Sequence, residues 1–338
     1  MTVVAFERKA PQPLPAIPVY DLAPNLATAS LAADPARAAA LLDAAAGPAP
    51  ELLLRLADRI SRRWLVRSAN PYLPEIDEVA RRLGRSGGHF FNVHYEWGCT
   101  TGVKPGANGG HPRLVRVLDW RTPGLGRYVM AARIQRRNGP WVSLTWPGFA
   151  GVLQAMAPGR FAAAINQAPM TTPIGILPAD WAVNRATVWR NGYLPPAHLL
   201  RRVFEEAPSY QVALAMLSDT PVSAPAIFTL AGTVPGEGAI IERREREACL
   251  HTGDSCTANA WQSTAWAGRA RGKLNAERLA MLRGLAGEID DDFRWLRAPV
   301  LNDTTRLAMV ADARSGWLIA RGYEAGEAAT QDLRLDCR

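Results

Sequence analysis

"YEWGCTTGVKPG" (residues 95–106) places one of the chain's four cysteines between a glycine and two threonines. A cysteine held for packing ordinarily sits among apolar neighbours. Cys99 instead stands in a small, polar, turn-like stretch and reads as placed to be reached. Thr100 and Thr101 favour extended backbone, so Cys99 is expected to run into a strand. Gly98 has no side chain, so a nucleophile at 99 could approach the Gly98 carbonyl with no Cβ in the way. The next β-rich run, "LVRVLDW" (114–120), carries Arg116 and Asp119. Three apart, they would face opposite ways in a regular strand. A strand end, bend or bulge would bring both toward one site, and the turn "WRTPG" that follows is where a strand would end.

The segments around this stretch differ in kind. Residues 1–25 are Pro-rich and extended, and 32–85 read as helices: "AADPARAAALLDAAA", "PELLLRLADRISRRWLVRSA" and "PYLPEIDEVARRLG". Each begins near a proline or an acid and ends near Gly, Asn or Pro. Leu52, Leu53, Leu56, Ile60 and Trp64 keep a 3–4 spacing and are expected to form a packed apolar face. After Cys99 the runs shorten and are separated by Gly, Pro and Asn, as consecutive strands are. Helices are expected over 197–218 and 274–287, and strands over 225–260 and 305–321. Strands, then helices, then strands describe an α+β fold with largely antiparallel sheets.

The 338 residues carry 39 Lys+Arg against 31 Asp+Glu, a formal charge of +8, with mean hydropathy −0.09. Residues 1–98 are nearly balanced, 11 basic against 10 acidic, so about +7 falls in 99–338. The arginines are scattered and no nucleic-acid motif is present, so the charge reads as solubility with mild attraction to anionic surfaces and no nucleic-acid partner. No stretch has the roughly 18 uncharged apolar residues of a membrane span, and the N-terminus lacks a signal-peptide apolar core. Four widely spaced cysteines do not make a disulfide scaffold, which points to a cytoplasmic protein with reduced thiols.

Cys99–Thr100, the pair Arg116 and Asp119, "WPGFAGVLQAMAPGRFAAAINQAP" (146–169) and "CTANAW" (256–261) occur in the order seen in the choloylglycine-hydrolase and acid-ceramidase branch of the N-terminal nucleophile hydrolases. The chain resembles that branch over most of its length, including "IPVYDLA" (17–23) near the start and "TRLAMVADARSGWLIARG" (305–322) near the end. The resemblance implies a four-layer αββα sandwich and a precursor cut between Gly98 and Cys99. It would yield an α segment, 1–98, that stays associated with a catalytic β segment, 99–338. It implies hydrolysis of a linear N-acyl amide through a Cys99 thioester, with the freed α-amine as base. An α-amine titrates near ~7.7–8, suited to that task. In the same terms Asp119 would orient the amine, Arg116 would sit beside the thiol, and Asn259 would help form the oxyanion hole. Asn166 would supply a second polar position and Arg271, with Arg269 close behind, the late arginine that buttresses the site. The Gly-rich "PGANGGHP" (105–112) lengthens the first loop.

Taken alone, each of these residues has a blander reading: a structural cysteine, a solvated strand-end carboxylate, turn asparagines. Their order is what favours the site. Acyl transfer through the same thioester, or a catalytically silent protein that binds acylated ligands, are the alternatives. Cys249, His251 and Cys256 lie close together in "CLHTGDSC", but their spacing is not that of a zinc ligand pair and they read as strand cysteines around a turn. His89, His94, His111 and His198 lack catalytic company. No nucleotide fingerprint is present and no cofactor is expected. Some tryptophans, such as Trp146 or Trp261, are candidates to line an apolar acyl pocket.

Overall fold

The structure is a computed structural model and describes residues 13–47, 50–93, 97–106, 110–253, 255–285, 289 and 292–338. The extreme N-terminal stretch, His94 and the middle of the Gly-rich loop (107–109) lie outside the described residues. Strand β1 (Val19–Leu22) leads into helices α1 (Leu26–Ala33), α2 (Pro35–Ala46), α3 (Glu51–Arg67) and α4 (Leu73–Leu83). Two long strands follow, β2 (Trp97–Pro105) and β3 (Pro112–Trp120), then short α5 (Leu125–Tyr128). Next come β4 (Met130–Ile134), β5 (Trp141–Thr145), β6 (Gln154–Ala157) and β7 (Phe161–Gln167). Helices α6 (Leu177–Arg190), α7 (Pro196–Glu206) and α8 (Tyr210–Asp219) precede β8 (Ala226–Ala231), β9 (Gly238–Arg243), β10 (Ala248–Thr252) and β11 (Cys256–Thr257). The chain closes with α9 (Asn275–Gly284), β12 (Thr305–Asp312), β13 (Trp317–Glu324), β14 (Glu327–Ala328) and β15 (Leu333–Asp336).

The strands make two sheets, ordered β1-β4-β5-β6-β7-β8-β9-β10 and β11-β2-β3-β12-β13-β14, with β15 on β13. Apart from the parallel β1–β4 pair, the ladders are antiparallel. β2 and β3 face β7 and β8 across the sandwich, α7 and α8 pack on the first sheet, and α9 lies on the second. The expected layers of helix, sheet, sheet and helix are therefore present.

The run "PRLVRVLDW" explains why sequence alternation is hidden in β3. Leu114 and Leu118 join the core between the sheets, while Val115 and Val117 join a second core under α9 and residues 293–300. A strand buried on both faces reads as a continuous apolar run. At the other end of β2, Gly102 is required by space: a Cβ there would stand 2.8 Å from Cys256 Sγ in the neighbouring β11. Cys256 thus belongs to the second sheet, whereas Cys249 is on the edge strand of the first.

The apolar stripe expected on α3 is corrected. Leu52, Leu53 and Leu56 are more than half exposed; the helix packs through Leu54, Ser61, Trp64 and Leu65. Only Trp64 of that stripe lies in the core. Its indole donates to the Asn191 carbonyl at 3.0 Å, fixing the helix's rotation with Leu52 outward.

Candidate active site

Cys99 sits third in β2, paired with Leu118 of β3, and is fully buried. The β2–β3 register is unbroken, so no bend in β3 turns Arg116 and Asp119 to one side. The irregularity lies one strand further, where β12 shifts register between Thr305 and Leu307. The site therefore straddles a strand. The Cys99 side chain projects between the sheets on the Arg116 face, and its backbone is linked to Asp119, on the opposite face, through Arg278.

On the inner face Arg116 is 0% exposed. Its Nη1 donates to Thr101 Oγ1 at 3.0 Å and to Asn166 Oδ1. Thr101 Oγ1 donates to the same Asn166 oxygen at 2.6 Å, and Asn166 Nδ2 donates to the Ala258 carbonyl at 2.9 Å. Nε and Nη2 of Arg116 find no hydrogen-bonded oxygen or nitrogen among the described residues and lie within electrostatic reach of the Cys99 sulfur. Buried donors without acceptors are rare in folded proteins and are what a thiolate or carbonyl oxygen would satisfy. In the unbroken chain the sulfur is not a thiolate. Burial pushes the thiol up to about 12; the Arg116 charge opposes this and the Asp119 charge adds to it.

On the other face two side chains, Asn259 and Arg278, converge on the Cys99 backbone. Its amide nitrogen donates to Asn259 Oδ1 at 2.6 Å. Its carbonyl accepts from Arg278 Nη1 at 2.9 Å. The same Nη1 reaches Asp119 Oδ2 at 3.1 Å and Thr100 Oγ1 at 3.0 Å, while Nη2 reaches Asn275 Oδ1 at 2.9 Å. Asp119 Oδ1 accepts from Thr305 Oγ1 at 2.8 Å. Burial raises the Asp119 carboxyl above the usual range, and Arg278 works against that rise. A Cβ on Gly98 would meet Asp119 Cβ at 3.5 Å and Asn259 Oδ1 at 3.7 Å. These are ordinary contacts, so packing does not demand the glycine.

Five of the six candidates, Cys99, Arg116, Asp119, Asn166 and Asn259, thus meet at one strand. The late-arginine candidates are placed one step away from Cys99. Arg271 donates through Nε to the Ala168 carbonyl at 3.2 Å and through its amide to the Asn259 carbonyl at 3.1 Å. The Arg269 backbone pairs with Met170. The guanidinium that reaches Cys99 and Asp119 is that of Arg278, on α9. Sequence reasoning missed it inside "NAERLAMLRG", although Arg278 and Leu282, four apart, are the buried positions of that helix.

A cleft of about 970 Å³ opens on the Gly98 side, bounded by Trp97, Gly98, Asp119 and Arg278. Beyond Trp120 and Arg121, which line both, lies a second pocket of about 420 Å³ walled by Leu41, Leu42, Leu54, Phe91 and Trp146. Away from the site, Glu242, Cys249 and His251 bring ligand atoms within 4.8 Å of one another. Both Glu242 oxygens are already taken by the Gln262 and Ser263 amides, and His251 adds a third hydrogen bond. Carboxylate lone pairs committed this way fit a loop tether better than a metal ligand.

No protein-family model matches the chain. It is 32% identical to human acid ceramidase (Homo sapiens) over 106 residues, 31% of this chain and 25% of that protein. It is 25% identical to the N-acylethanolamine-hydrolyzing acid amidase of Cavia porcellus over 179 residues, 51% of this chain and 48% of that one. The matched stretches thus span a quarter to about half of those relatives' length. The fold is similar to that of the Caenorhabditis elegans N-acylethanolamine-hydrolyzing acid amidase ortholog, with a TM-score of 0.51 and 19% identity over 64% of this chain and 93% of that one. Two facing, mostly antiparallel sheets between helical layers, together with these relatives, support the resemblance to the choloylglycine hydrolase and acid ceramidase family of N-terminal nucleophile hydrolases.

Proposed function

We propose that the protein hydrolyses a linear N-acyl amide with Cys99 as nucleophile, after its own chain is cut between Gly98 and Cys99. The observation that carries this reading is the straddled cysteine. Its sulfur faces unsatisfied guanidinium donors of Arg116, and its nitrogen is held by Asn259.

In the unbroken chain the Cys99 nitrogen is an amide and cannot take a proton, and the buried thiol stays protonated at neutral pH. Cutting the Gly98–Cys99 bond turns that nitrogen into an amine. It would accept the thiol proton, and the thiolate would attack the amide carbonyl. The resulting ammonium would return the proton to the departing amine, leaving a thioester on Cys99. The amine would then deprotonate a water that attacks the thioester, releasing the carboxylic acid and restoring the thiol. Asp119 and Arg278 would fix the Cys99 backbone during both steps, and Arg116 would favour the thiolate. The apolar pocket that Trp146 lines suits an acyl chain. Residues 1–98 and 99–338 would be the two fragments, held together by the packing described above.

The test is an intact-mass measurement with activity on a panel of N-acyl amides. Wild-type protein should give two fragments split at 98/99 and release acid and amine. Cys99→Ala should stay full length and inactive. Wild-type protein that turns over amides while still full length would overturn the maturation step. Acyl label recovered on Cys337 or Cys256 with activity intact would remove Cys99 as nucleophile.

A further inference from the structure

Asn259 is gripped at both of its backbone polar atoms. Its amide donates to Asn275 Oδ1 at 2.9 Å, and its carbonyl accepts the Arg271 amide at 3.1 Å. Asn275 Nδ2 closes the ring by donating to the Arg271 carbonyl at 2.9 Å. The same Asn275 oxygen also accepts from Arg278 Nη2 at 2.9 Å. One side-chain oxygen therefore holds the backbone of Asn259 and the guanidinium of Arg278 together. Those are the two residues that touch the nitrogen and the carbonyl of Cys99.

The local chain favours this use of Asn275. An asparagine at a helix start ordinarily spends its oxygen on amides of the first turn. At the head of α9 that oxygen goes to Asn259 and Arg278 instead. Asn275 and Arg278 are three apart, so they are neighbours on one face of the helix. Leu274, just before, is held at φ 51° and ψ 42°, a left-handed conformation unfavourable for a residue with a Cβ. Such strain persists where the surroundings over-determine it, and it gathers at functional sites. Gly272, at φ +70°, leaves the guanidinium room: a Cβ there would stand 2.9 Å from Arg278 Nη2.

We propose that Asn275 is a positioning residue for the Cys99 amine. Its oxygen sets Asn259 and Arg278 relative to each other, and through them it aims the amine at the thiol. This inference rests on the amidase reading above, in which that amine takes the thiol proton. A small misplacement of such a group costs rate more than it costs binding.

The experiment measures matured wild type, Asn275→Ala and Asn275→Asp on the p-nitroanilide of dodecanoic acid, a linear N-acyl amide whose released amine is coloured. Asn275→Ala should lower kcat about tenfold or more while KM moves less than about threefold. Asn275→Asp keeps an oxygen for both donors and should hold kcat within about threefold of wild type. Its added negative charge favours the ammonium form of Cys99, so the amine limb of the pH–kcat/KM profile should move to higher pH. A merely structural tether would move neither that limb nor the ratio of kcat to KM losses. Wild-type kcat in Asn275→Ala, or equal kcat losses in both variants, overturns the positioning role while active wild type leaves the amidase reading standing. Should Asn275→Ala fail to fold, the aspartate variant decides: a raised limb with kcat retained supports the role, and an unmoved limb overturns it. Wild-type protein that leaves the anilide uncut removes both readings.

Discussion

The amide nitrogen of Cys99 donates to Asn259 Oδ1 at 2.6 Å. Partners fix which end of the Asn259 side chain is oxygen. Arg278 Nη2, which can only donate, faces Oδ1 at 3.3 Å, and the Gln167 carbonyl, which can only accept, faces Nδ2 at 2.7 Å. In the unbroken chain, then, Asn259 offers the cysteine nitrogen an acceptor. To serve as an oxyanion donor its Nδ2 would use the second hydrogen, the one the Gln167 carbonyl does not take.

That geometry separates two roles for Asn259. Asn259→Ala should lower kcat roughly a hundredfold with a smaller change in KM, as for a group used in the transition state. If Asn259 also holds the Cys99 amine, the alanine variant loses an acceptor that favours the charged ammonium. The amine limb of the pH–kcat/KM profile should then move to lower pH. An unmoved limb with the same loss of kcat would leave Asn259 with the oxyanion role alone. A loss below about threefold would remove it from the chemistry.

Arg278 offers a test of coupling. Arg278→Leu leaves the Asp119 carboxylate buried without a counter-charge, a change that destabilises proteins by about 3–5 kcal/mol. Asp119→Asn/Arg278→Leu removes both charges and should be less destabilised than the sum of the single variants. Urea unfolding of the four forms gives the interaction energy directly. Additive losses would mean that the 3.1 Å contact contributes nothing of its own.

Most of the fold, and five candidates that the structure brings together at Cys99, were legible in the sequence because each sits in a local pattern. "PRLVRVLDW" announces a strand, and the Cys–Thr, Arg/Asp and "CTANAW" stretches announce a site in order. What was not legible depends on tertiary placement. Arg278 looks like the surface charge of an ordinary helix until β2 is laid beneath it. Helix α6 carries no apolar stripe, and its fully buried position is Asp180, which accepts from the Ile174 and Gly175 amides. Periodicity has nothing to find there. The α3 stripe failed for the converse reason. Regular spacing of Leu52, Leu53 and Leu56 defines a face but not what covers it.

The two halves of the chain are joined by a buried ion pair. Arg201 on α7 is 0% exposed and donates to Glu75 on α4, Nη2 to Oε1 at 2.6 Å and Nη1 to Oε2 at 3.1 Å. Glu75 Oε2 also accepts the Ala27 amide at 3.0 Å, and the Tyr72 ring lies 4.0 Å from the guanidinium. Glu75→Ala should therefore cost about 3–5 kcal/mol by leaving the buried arginine one partner short. Glu205, 3.0 Å from Arg201 Nε, softens the loss. After cleavage at 98/99 the same variant should release the N-terminal fragment on a sizing column at urea concentrations that wild-type protein withstands. Co-elution of the fragments at every concentration would show that other packing suffices.

One histidine ties stability to acidity. His198 on α7 is fully buried, and its Nδ1 is 2.9 Å from Asn70 Nδ2, a donor that requires the neutral ring. Burial, reinforced by the nearby Arg201 charge, lowers its pKa from 6.5 to about 3. The unfolded chain takes up a proton below about 6.5 that the folded chain refuses until about 3. Between those values the unfolded state binds more protons, so stability falls as pH falls, by up to about 1.4 kcal/mol per pH unit from this group. Above 6.5 the contribution is constant. His198→Gln keeps a side-chain oxygen for Asn70 and cannot titrate. Its Tm at pH 7.5 should lie near or below that of wild type, while its decline between pH 6 and 4 should be shallower, so that the two curves converge or cross on acidification. Parallel curves across that range would show that His198 is protonated in the folded protein and that its burial sets no acid limit.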